Sequence, residues 1–177
     1  MCKIIIYGSK YGTTKKYAEE LARRINVKAV SFDRVKDIDD YDTIIYLGAL
    51  YAGGVLGMAK TLKKITDVSD KKIILATVGL ADPTNKENTD NIKNSIKKQL
   101  TANIAAKTKI FHLRGGIDYS NLSFTHKTMM SMLYKKAKNM PEEKKTAEVR
   151  AMIDTYNQKV DFIDFSGLDN IVAEVDV

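Results

Sequence analysis

Five runs of mainly apolar, often β-branched residues recur along the chain, and most of the segments between them have helical periodicity. The runs cover residues 3–7, 28–32, 43–47, 72–78 and 109–113. The first, third and fourth are nearly continuous in apolar residues, which is typical of strands that are covered on both faces. Strands that alternate with helices predict a doubly wound α/β domain, with a parallel sheet and right-handed crossover connections.

Apolar residues at helical spacing predict three helices between these strands. The first begins near residue 13, and its apolar face is formed by Tyr17, Ala18, Leu21, Ala22 and Ile25. A shorter helix is predicted over residues 55–65. After the fourth run, the sequence TNKE (84–87) fits a capping box that begins at Thr84, and apolar residues recur at 92, 96, 100 and 104.

The chain beyond the fifth strand departs from simple alternation. Helices are predicted over residues 124–138 and 142–156, the second with Pro141 placed before its first turn. The sequence VDFIDF (160–165) then predicts a short strand, and Ser166 is the predicted cap of a final helix that ends near Val175. We therefore predict one domain over residues 1–177, with a helical insertion at about 116–160.

The composition excludes several classes of protein. The chain has 177 residues, of which 44% are hydrophobic and 29% charged, as expected for a soluble globular domain. Its single cysteine, Cys2, excludes an internal disulfide framework and favours a reducing compartment. With neither a signal peptide nor an apolar run of membrane-spanning length, the cytoplasm is the expected location. His, Cys and acidic residues have no metal-site or acid–base spacing, so neither a metal ligand nor a catalytic side chain is predicted.

The net charge of +7 has a partly local source, because residues 119–141 carry four lysines and no acid. In the predicted helix 124–138, an apolar stripe formed by Met130, Leu133, Tyr134 and Ala137 lies beside these lysines. Either the stripe docks on the domain and the lysines are solvated, or this helix contacts a partner, a hydrophobic substrate or an anionic membrane surface. Nucleic-acid binding is not predicted, since the chain has no recognition motif.

The loop between the first strand and the first helix is rich in glycine and hydroxyl side chains. Its sequence GSKYGTTK (8–15) has neither Walker A spacing nor the Gly-x-Gly-x-x-Gly pattern. Ser9, Thr13 and Thr14 either cap the helix or bind a phosphate together with the free backbone N–H groups of its first turn. Because the carboxyl ends of strands at the switch point bind ligands in open α/β sheets, the position of the loop favours phosphate.

This loop resembles the phosphate loop of the flavodoxin family, Ser/Thr-x-Thr-Gly-x-Thr. It matches at Ser9, Gly12 and Thr14, whereas Tyr11 stands at the position of the family's middle hydroxyl residue. The sequences YLGALYAGGVLGMAKTLKK (46–64) and HLRGGIDYSNLSFTHKTMMSMLYKKAKN (112–139) are similar to features of the branch that includes menaquinone-dependent protoporphyrinogen oxidase. The resemblance covers most of the chain.

The resemblance implies a flavodoxin-like fold with the strand order 2-1-3-4-5, helices on both faces of the sheet, and FMN as the cofactor. Its phosphate would lie in the first loop, and its ring between the loops that follow the third and fourth strands. Tyr51 would stack on the ring, or would pack on the following helix as an ordinary loop aromatic. The cofactor-binding residues implied are Ser9, Lys10, Tyr11, Gly12, Thr13, Thr14, Leu50, Tyr51, Ala52, Gly53, Gly79, Leu80 and Ala81.

The expected function is that of an FMN-dependent oxidoreductase, similar to protoporphyrinogen oxidase. Its expected partners are a redox protein and a quinone or porphyrin-type substrate, with peripheral membrane contact through helix 124–138. A flavodoxin-type electron carrier and a flavin-less interaction protein are the alternatives. The basic charge favours the enzyme, because small flavodoxins that shuttle electrons are typically acidic. In each redox case the flavin supplies the chemistry, so the lack of a catalytic side chain is expected.

Overall fold

A six-stranded sheet forms the centre of the molecule. The computed structural model describes residues 2–51 and 53–176. The strands of the sheet are β1 (Lys3–Gly8), β2 (Ala29–Ser31), β3 (Thr43–Tyr51), β4 (Gly54–Val55), β5 (Lys72–Gly79) and β6 (Thr108–Arg114). The five longer strands are parallel in the order β2-β1-β3-β5-β6, and β4 pairs antiparallel with the end of β3. Without the two-residue β4, this is the predicted order 2-1-3-4-5, which is therefore confirmed.

Helices cover both faces of the sheet, as predicted. They are α1 (Thr13–Ile25), α2 (Met58–Leu62), α3 (Lys86–Gln99), α4 (Ala102–Lys107), α5 (Phe124–Lys138), α6 (Ala147–Asp154) and α7 (Asp169–Asp176). Successive side chains of a strand point to opposite faces. Accordingly, Ile4 and Ile6 pack in a core with residues of α2, α3 and α4, whereas Ile5 packs in a second core with residues of α1 and α7.

Two helices on the first of these faces differ from the prediction. The helix predicted over 55–65 is shorter, because α2 begins after Gly57, whose φ of 76° is left-handed. The helix predicted to continue through residue 104 is interrupted at Leu100 and Thr101, which are extended, and α4 follows. Leu100 and Ile104 are nevertheless both buried in the core. The apolar spacing therefore predicted their burial correctly, but it did not predict the interruption of the helix.

The predicted cap at Thr84 is wrong by one residue. The side chain of Asn85 caps α3 by accepting a hydrogen bond from the N–H of Asn88 at 2.9 Å. Thr84 instead donates both its N–H and its hydroxyl to Asp82 Oδ1, at 2.8 and 2.7 Å. Asp82 therefore forms a turn that engages Thr84 before the helix begins.

Residues 116–161, which we call the insertion, form a layer beside the sheet. Its two strands, β7 (Gly116–Asp118) and β8 (Lys159–Asp161), pair antiparallel with each other, and α5 and α6 lie between them in the chain. The insertion has a small core of its own, formed by Ile117, Tyr119, Leu122 and Met130. Two residues outside it, Tyr11 and Leu80, pack against this core. The insertion therefore lies on the loops that follow β1 and β5.

The final part of the chain corrects two further predictions. The helix predicted over 142–156 is a 3-10 turn, Glu142–Lys144, followed by α6, because the side chain of Thr146 accepts from the N–H of Val149 at 3.3 Å and starts a new helix. Ser166 does not cap the last helix. Its N–H donates to Asp164 Oδ1 at 2.9 Å, and a 3-10 turn, Phe165–Leu168, precedes α7.

Candidate functional site

The carboxyl ends of β1 and β3 lie side by side at the point where the strand order reverses. β1 pairs with β2 on one side and with β3 on the other, and Gly8 lies opposite Gly48. In open α/β sheets the crevice at such a switch point is where ligands bind. The loops that follow β1, β3 and β5 reach this edge, so the structure brings the three predicted parts of the cofactor site to one end of the sheet.

The first loop (residues 9–14) leaves the N-terminus of α1 open. Gly12 is the N-terminal cap residue with φ of 91°, and a Cβ added to it would meet no atom within 4 Å. No described residue accepts a hydrogen bond from the N–H groups of Thr13, Thr14 or Lys15. In the structure, therefore, none of the side chains of Ser9, Thr13 and Thr14 caps this helix. Free N–H groups and the helix dipole make this turn suitable for an anion.

The three hydroxyl groups of the first loop have different partners. Ser9 Oγ accepts from the N–H of Gly12 at 3.1 Å and keeps its own proton free to donate. The Thr13 hydroxyl donates to the carbonyl of Gly116, the first residue of the insertion, at 3.1 Å. Thr14 is buried, and no described residue bonds its hydroxyl. Of the two threonines, only Thr14 thus has an uncommitted donor.

Tyr11 belongs to the contact between the first loop and the insertion. Its ring packs edge to face on His126 of α5, with the centroids 5.8 Å apart. Its hydroxyl is buried without a hydrogen-bond partner among the described residues, as is that of Tyr119 in the insertion core. Burial, followed by the nearby Tyr51, raises the pKa of Tyr11. In this structure Tyr11 therefore packs against the insertion.

Tyr51, at the end of β3, lies between the first loop and α5. The Lys10 ammonium is 5.6 Å from the centroid of its ring, and its hydroxyl donates to Met129 Sδ at 3.4 Å. Gly53 follows with φ of 79° and with open space where a Cβ would point. Ala52, also predicted to contact the cofactor, lies outside the described residues. A flat aromatic side chain and an open glycine thus stand together at the edge where a planar ring is expected.

The loop after β5 binds a carboxylate that the sequence did not reveal. Glu148 of α6 accepts hydrogen bonds from the N–H of Leu80 at 3.2 Å and from that of Ala81 at 3.1 Å. Gly79 permits this approach, because a Cβ there would lie 2.3 Å from Glu148 Oε1. Burial raises the pKa of Glu148, although these N–H groups and the buried side chain of Asn88 oppose the shift. The predicted ring-binding loop is therefore engaged by the insertion.

A comparison with protein families identifies this architecture. The flavodoxin domain model matches residues 4–144, from β1 into the insertion. The chain belongs to the flavodoxin domain family. No curated protein matches its sequence.

The flavodoxin domain is also similar to solved structures at low sequence identity. A putative flavoprotein from Bacteroides uniformis is 12% identical, with a TM-score of 0.47, over 64% of this chain and 90% of that one. A mutant Fusobacterium nucleatum flavodoxin bound to flavin mononucleotide is 18% identical, with a TM-score of 0.46, over 70% of this chain and 73% of that one. A Lactobacillus acidophilus flavoprotein in complex with FMN is 14% identical, with a TM-score of 0.42, over 64% and 91% of the two chains.

Thr77 on β5 and His112 on β6 form a polar pair on neighbouring strands. Thr77 Oγ1 and His112 Nδ1 are 2.8 Å apart, and burial lowers the pKa of His112 to about 4, so this imidazole is neutral at neutral pH. Within residues 2–51 and 53–176, no three His, Cys, Asp or Glu side chains form a group that could hold a metal ion. No helix of the described chain is long and apolar enough to cross a membrane.

Proposed function

We propose that this flavodoxin domain binds FMN and acts as an oxidoreductase through it. The observation that carries the proposal is the open first turn of α1 at the switch point of the sheet, where three backbone N–H groups have no acceptor among the described residues. FMN, when bound, supplies the electron or hydride transfer itself. The residues of this chain bind it, orient its ring and control access to it.

The residues of the site fit the two ends of FMN. For the phosphate, the free N–H groups of Thr13, Thr14 and Lys15 are joined by the hydroxyls of Ser9 and Thr14 as donors. Lys10 is exposed beside them and adds a positive charge. For the ring, Tyr51 offers a flat face, and Gly53 leaves open space for a close approach.

Within redox chemistry, two features support an enzyme over an electron carrier. The insertion packs on the first loop and brings Met129 to Tyr51, which gives the site an adaptable apolar wall. The chain is also basic, with a net charge of +7. An apolar wall in a basic protein suits an acidic or quinone-type apolar substrate, as expected for the branch that includes menaquinone-dependent protoporphyrinogen oxidase. A carrier that passes electrons to a redox partner protein is the alternative.

The exposed face of α5 supports a peripheral contact of this enzyme with an anionic membrane surface. Phe124 is 86% exposed and Met132 is 67% exposed, although both are large and apolar. Lys127, Lys135, Lys136 and Lys138 are exposed on the same helix. Exposed apolar side chains among lysines are suited to an interface between water and anionic lipid, where quinones are found.

An absorption spectrum of the purified protein, recorded after addition of FMN and desalting, tests the proposed cofactor. Retained flavin bands are the expected result. A colourless protein would refute the proposal in favour of a flavin-less interaction protein. For a protein that retains FMN, oxidation of a porphyrinogen with a quinone as acceptor would identify the enzyme, whereas transfer only between a reductase and an acceptor protein would identify the carrier.

A further inference from the structure

In the loop after β5, the N–H groups of Leu80 and Ala81 both donate hydrogen bonds to one side chain. Glu148 Oε2 accepts from Leu80 and Oε1 accepts from Ala81, so the carboxylate spans the loop at the carboxyl end of β5. These bonds join residues that are 68 and 67 positions apart in the chain. They connect the insertion directly to the part of the fold where the flavin ring is expected.

The carbonyl groups of the same loop are also engaged within the chain. The carbonyl of Gly79 accepts from the N–H of Gly115 at 2.7 Å, and that of Leu80 accepts from Arg114 Nε at 3.0 Å. While Glu148 is in place, the N–H groups of Leu80 and Ala81 are therefore both occupied, and the carbonyls of Gly79 and Leu80 each already accept one hydrogen bond. Each backbone N–H carries one hydrogen, so a carbonyl oxygen of a ring and the carboxylate cannot both bind it well.

We propose that Glu148 is an intramolecular latch, which occupies the ring end of the cofactor site and is displaced when the FMN ring binds to the loop 79–81. The inference rests on the proposed binding of FMN and concerns the regulation of that site. In the latched state, Glu148 holds the start of α6 against this loop. Binding of the ring exchanges the carboxylate for ring oxygens and releases α6 from the loop.

The surroundings of Glu148 suit a contact that can be exchanged. Gly79 has no side chain to obstruct the carboxylate of Glu148, and the buried side chain of Asn88 favours its ionised form. Arg114 is the charged group that favours its ionised form, but the guanidinium bonds the carbonyl of Leu80 and not Glu148. Since burial disfavours the charged carboxylate, a ligand that replaces it also returns that charge to water.

Titration of the FMN-free protein with FMN and with riboflavin tests the latch. Riboflavin carries the ring without the phosphate, so it reports on the ring end alone. Replacing Glu148 with alanine should tighten the binding of both ligands roughly tenfold, because neither then has to displace a competing contact. Glu148→Gln should have a smaller effect in the same direction, since an amide keeps one acceptor oxygen. The control is Glu143→Ala, which removes an exposed acid next to α6 in the chain and should change neither affinity.

Hydrogen exchange of the wild-type protein gives a second measurement that needs no variant. Addition of FMN should increase exchange of the α6 amides while the amides of Leu80 and Ala81 stay protected, because the ring replaces the carboxylate. Unchanged or slower exchange in α6 at saturating FMN would overturn the latch, and this measurement decides if the alanine variant does not fold. Equal or weaker flavin binding by a folded Glu148→Ala protein would also overturn it, with the proposed function intact. If no variant and no wild-type protein binds FMN, the proposed function fails and the latch fails with it.

Discussion

Thr13 and Gly116 are joined by a hydrogen bond from the threonine hydroxyl to the glycine carbonyl, at 3.1 Å. The bond links the first residue of α1 to the first residue of the insertion, 103 positions later in the chain. One of the two adjacent threonines is therefore committed to holding the insertion. The other, Thr14, is buried with no hydroxyl partner among the described residues.

This difference predicts a loss of FMN affinity for one substitution and a loss of stability for its matched partner. Thr14→Val should weaken FMN binding about tenfold or more, because a hydrogen bond to a charged group contributes roughly 1.5–3 kcal/mol. Thr13→Val should leave FMN affinity nearly unchanged but lower the free energy of unfolding by about 1 kcal/mol, through the lost bond to Gly116. Quenching of flavin fluorescence and urea denaturation measure the two quantities. A larger loss of affinity in the Thr13 variant would mean that Thr13, and not Thr14, contacts the phosphate.

Replacement of Gly12 should abolish FMN binding, and this effect can be separated from the effect of backbone strain. Gly12→Val places a branched side chain in the open space beside the N-terminus of α1, where the phosphate is expected, so FMN binding should be abolished. The variant should also lose about 1–2 kcal/mol of stability, since φ at this position is 91°.

Asn26→Val is the matched control for this strain. Asn26 ends the same helix with φ of 53°, so valine is strained there too, but at the end of α1 far from the first loop. Its stability should fall by a similar amount, with FMN affinity retained. Full FMN affinity in a folded Gly12→Val protein would show that the phosphate does not bind to this loop.

Much of the fold could be predicted because it depends on patterns within short segments. The apolar runs located β1 and β5 to within one residue and the start of β3, which continues four residues beyond its predicted end, since strands buried on both faces require such runs. The caps were less predictable, because adjacent polar residues compete and local geometry decides among them. At the start of α3, Thr84 and Asn85 are equally suitable by type, and Asp82 engages Thr84 first.

The site was only partly predictable, for a related reason. The first loop is a local motif, and its glycine and hydroxyl residues are recognisable within a few positions. Glu148 had no such signal, because it lay inside one predicted helix, 142–156, and the start of α6 at Ala147 is seen only in the structure. Its contact with Leu80 and Ala81 depends on how the insertion folds back over the sheet, and residue spacing carries no information on that.

Tyr17 connects α1 to two distant segments of the chain. Removal of its hydroxyl oxygen should therefore lower the stability of the protein substantially. Its buried hydroxyl donates to the carbonyl of Arg114 at 2.7 Å and accepts from the N–H of Asp164 at 2.9 Å. Tyr17→Phe should lower the free energy of unfolding by about 1–3 kcal/mol, because both backbone groups lose their partner. Tyr7→Phe is the control and should change stability by less than about 0.5 kcal/mol. Equal urea midpoints for the two variants would contradict this role of Tyr17.

His112 predicts a decrease in stability on mild acidification. Burial, followed by the charge of Lys93, lowers its pKa in the folded protein from 6.5 to about 4. Between these values the unfolded chain binds a proton that the folded protein does not, so the unfolded state is favoured as pH falls. The free energy of unfolding should therefore decrease from pH 6.5 towards 5, before most carboxylates titrate. In His112→Gln the decrease over this range should be largely absent, and an unchanged slope would mean that other groups cause it.

The exposed face of α5 predicts binding to anionic lipid vesicles. Wild-type protein should sediment with phosphatidylglycerol vesicles and not with phosphatidylcholine vesicles, because each lysine near an anionic surface contributes about 1 kcal/mol. Replacing Lys135 and Lys136 with glutamine should weaken this binding by at least about tenfold. The same change at Lys97 and Lys98, which are exposed on α3, alters the net charge equally and is the control. Phe124→Ser should weaken binding further, since it removes the most exposed apolar side chain of α5. Equal losses in both lysine pairs would mean that net charge, and not this helix, causes the attraction.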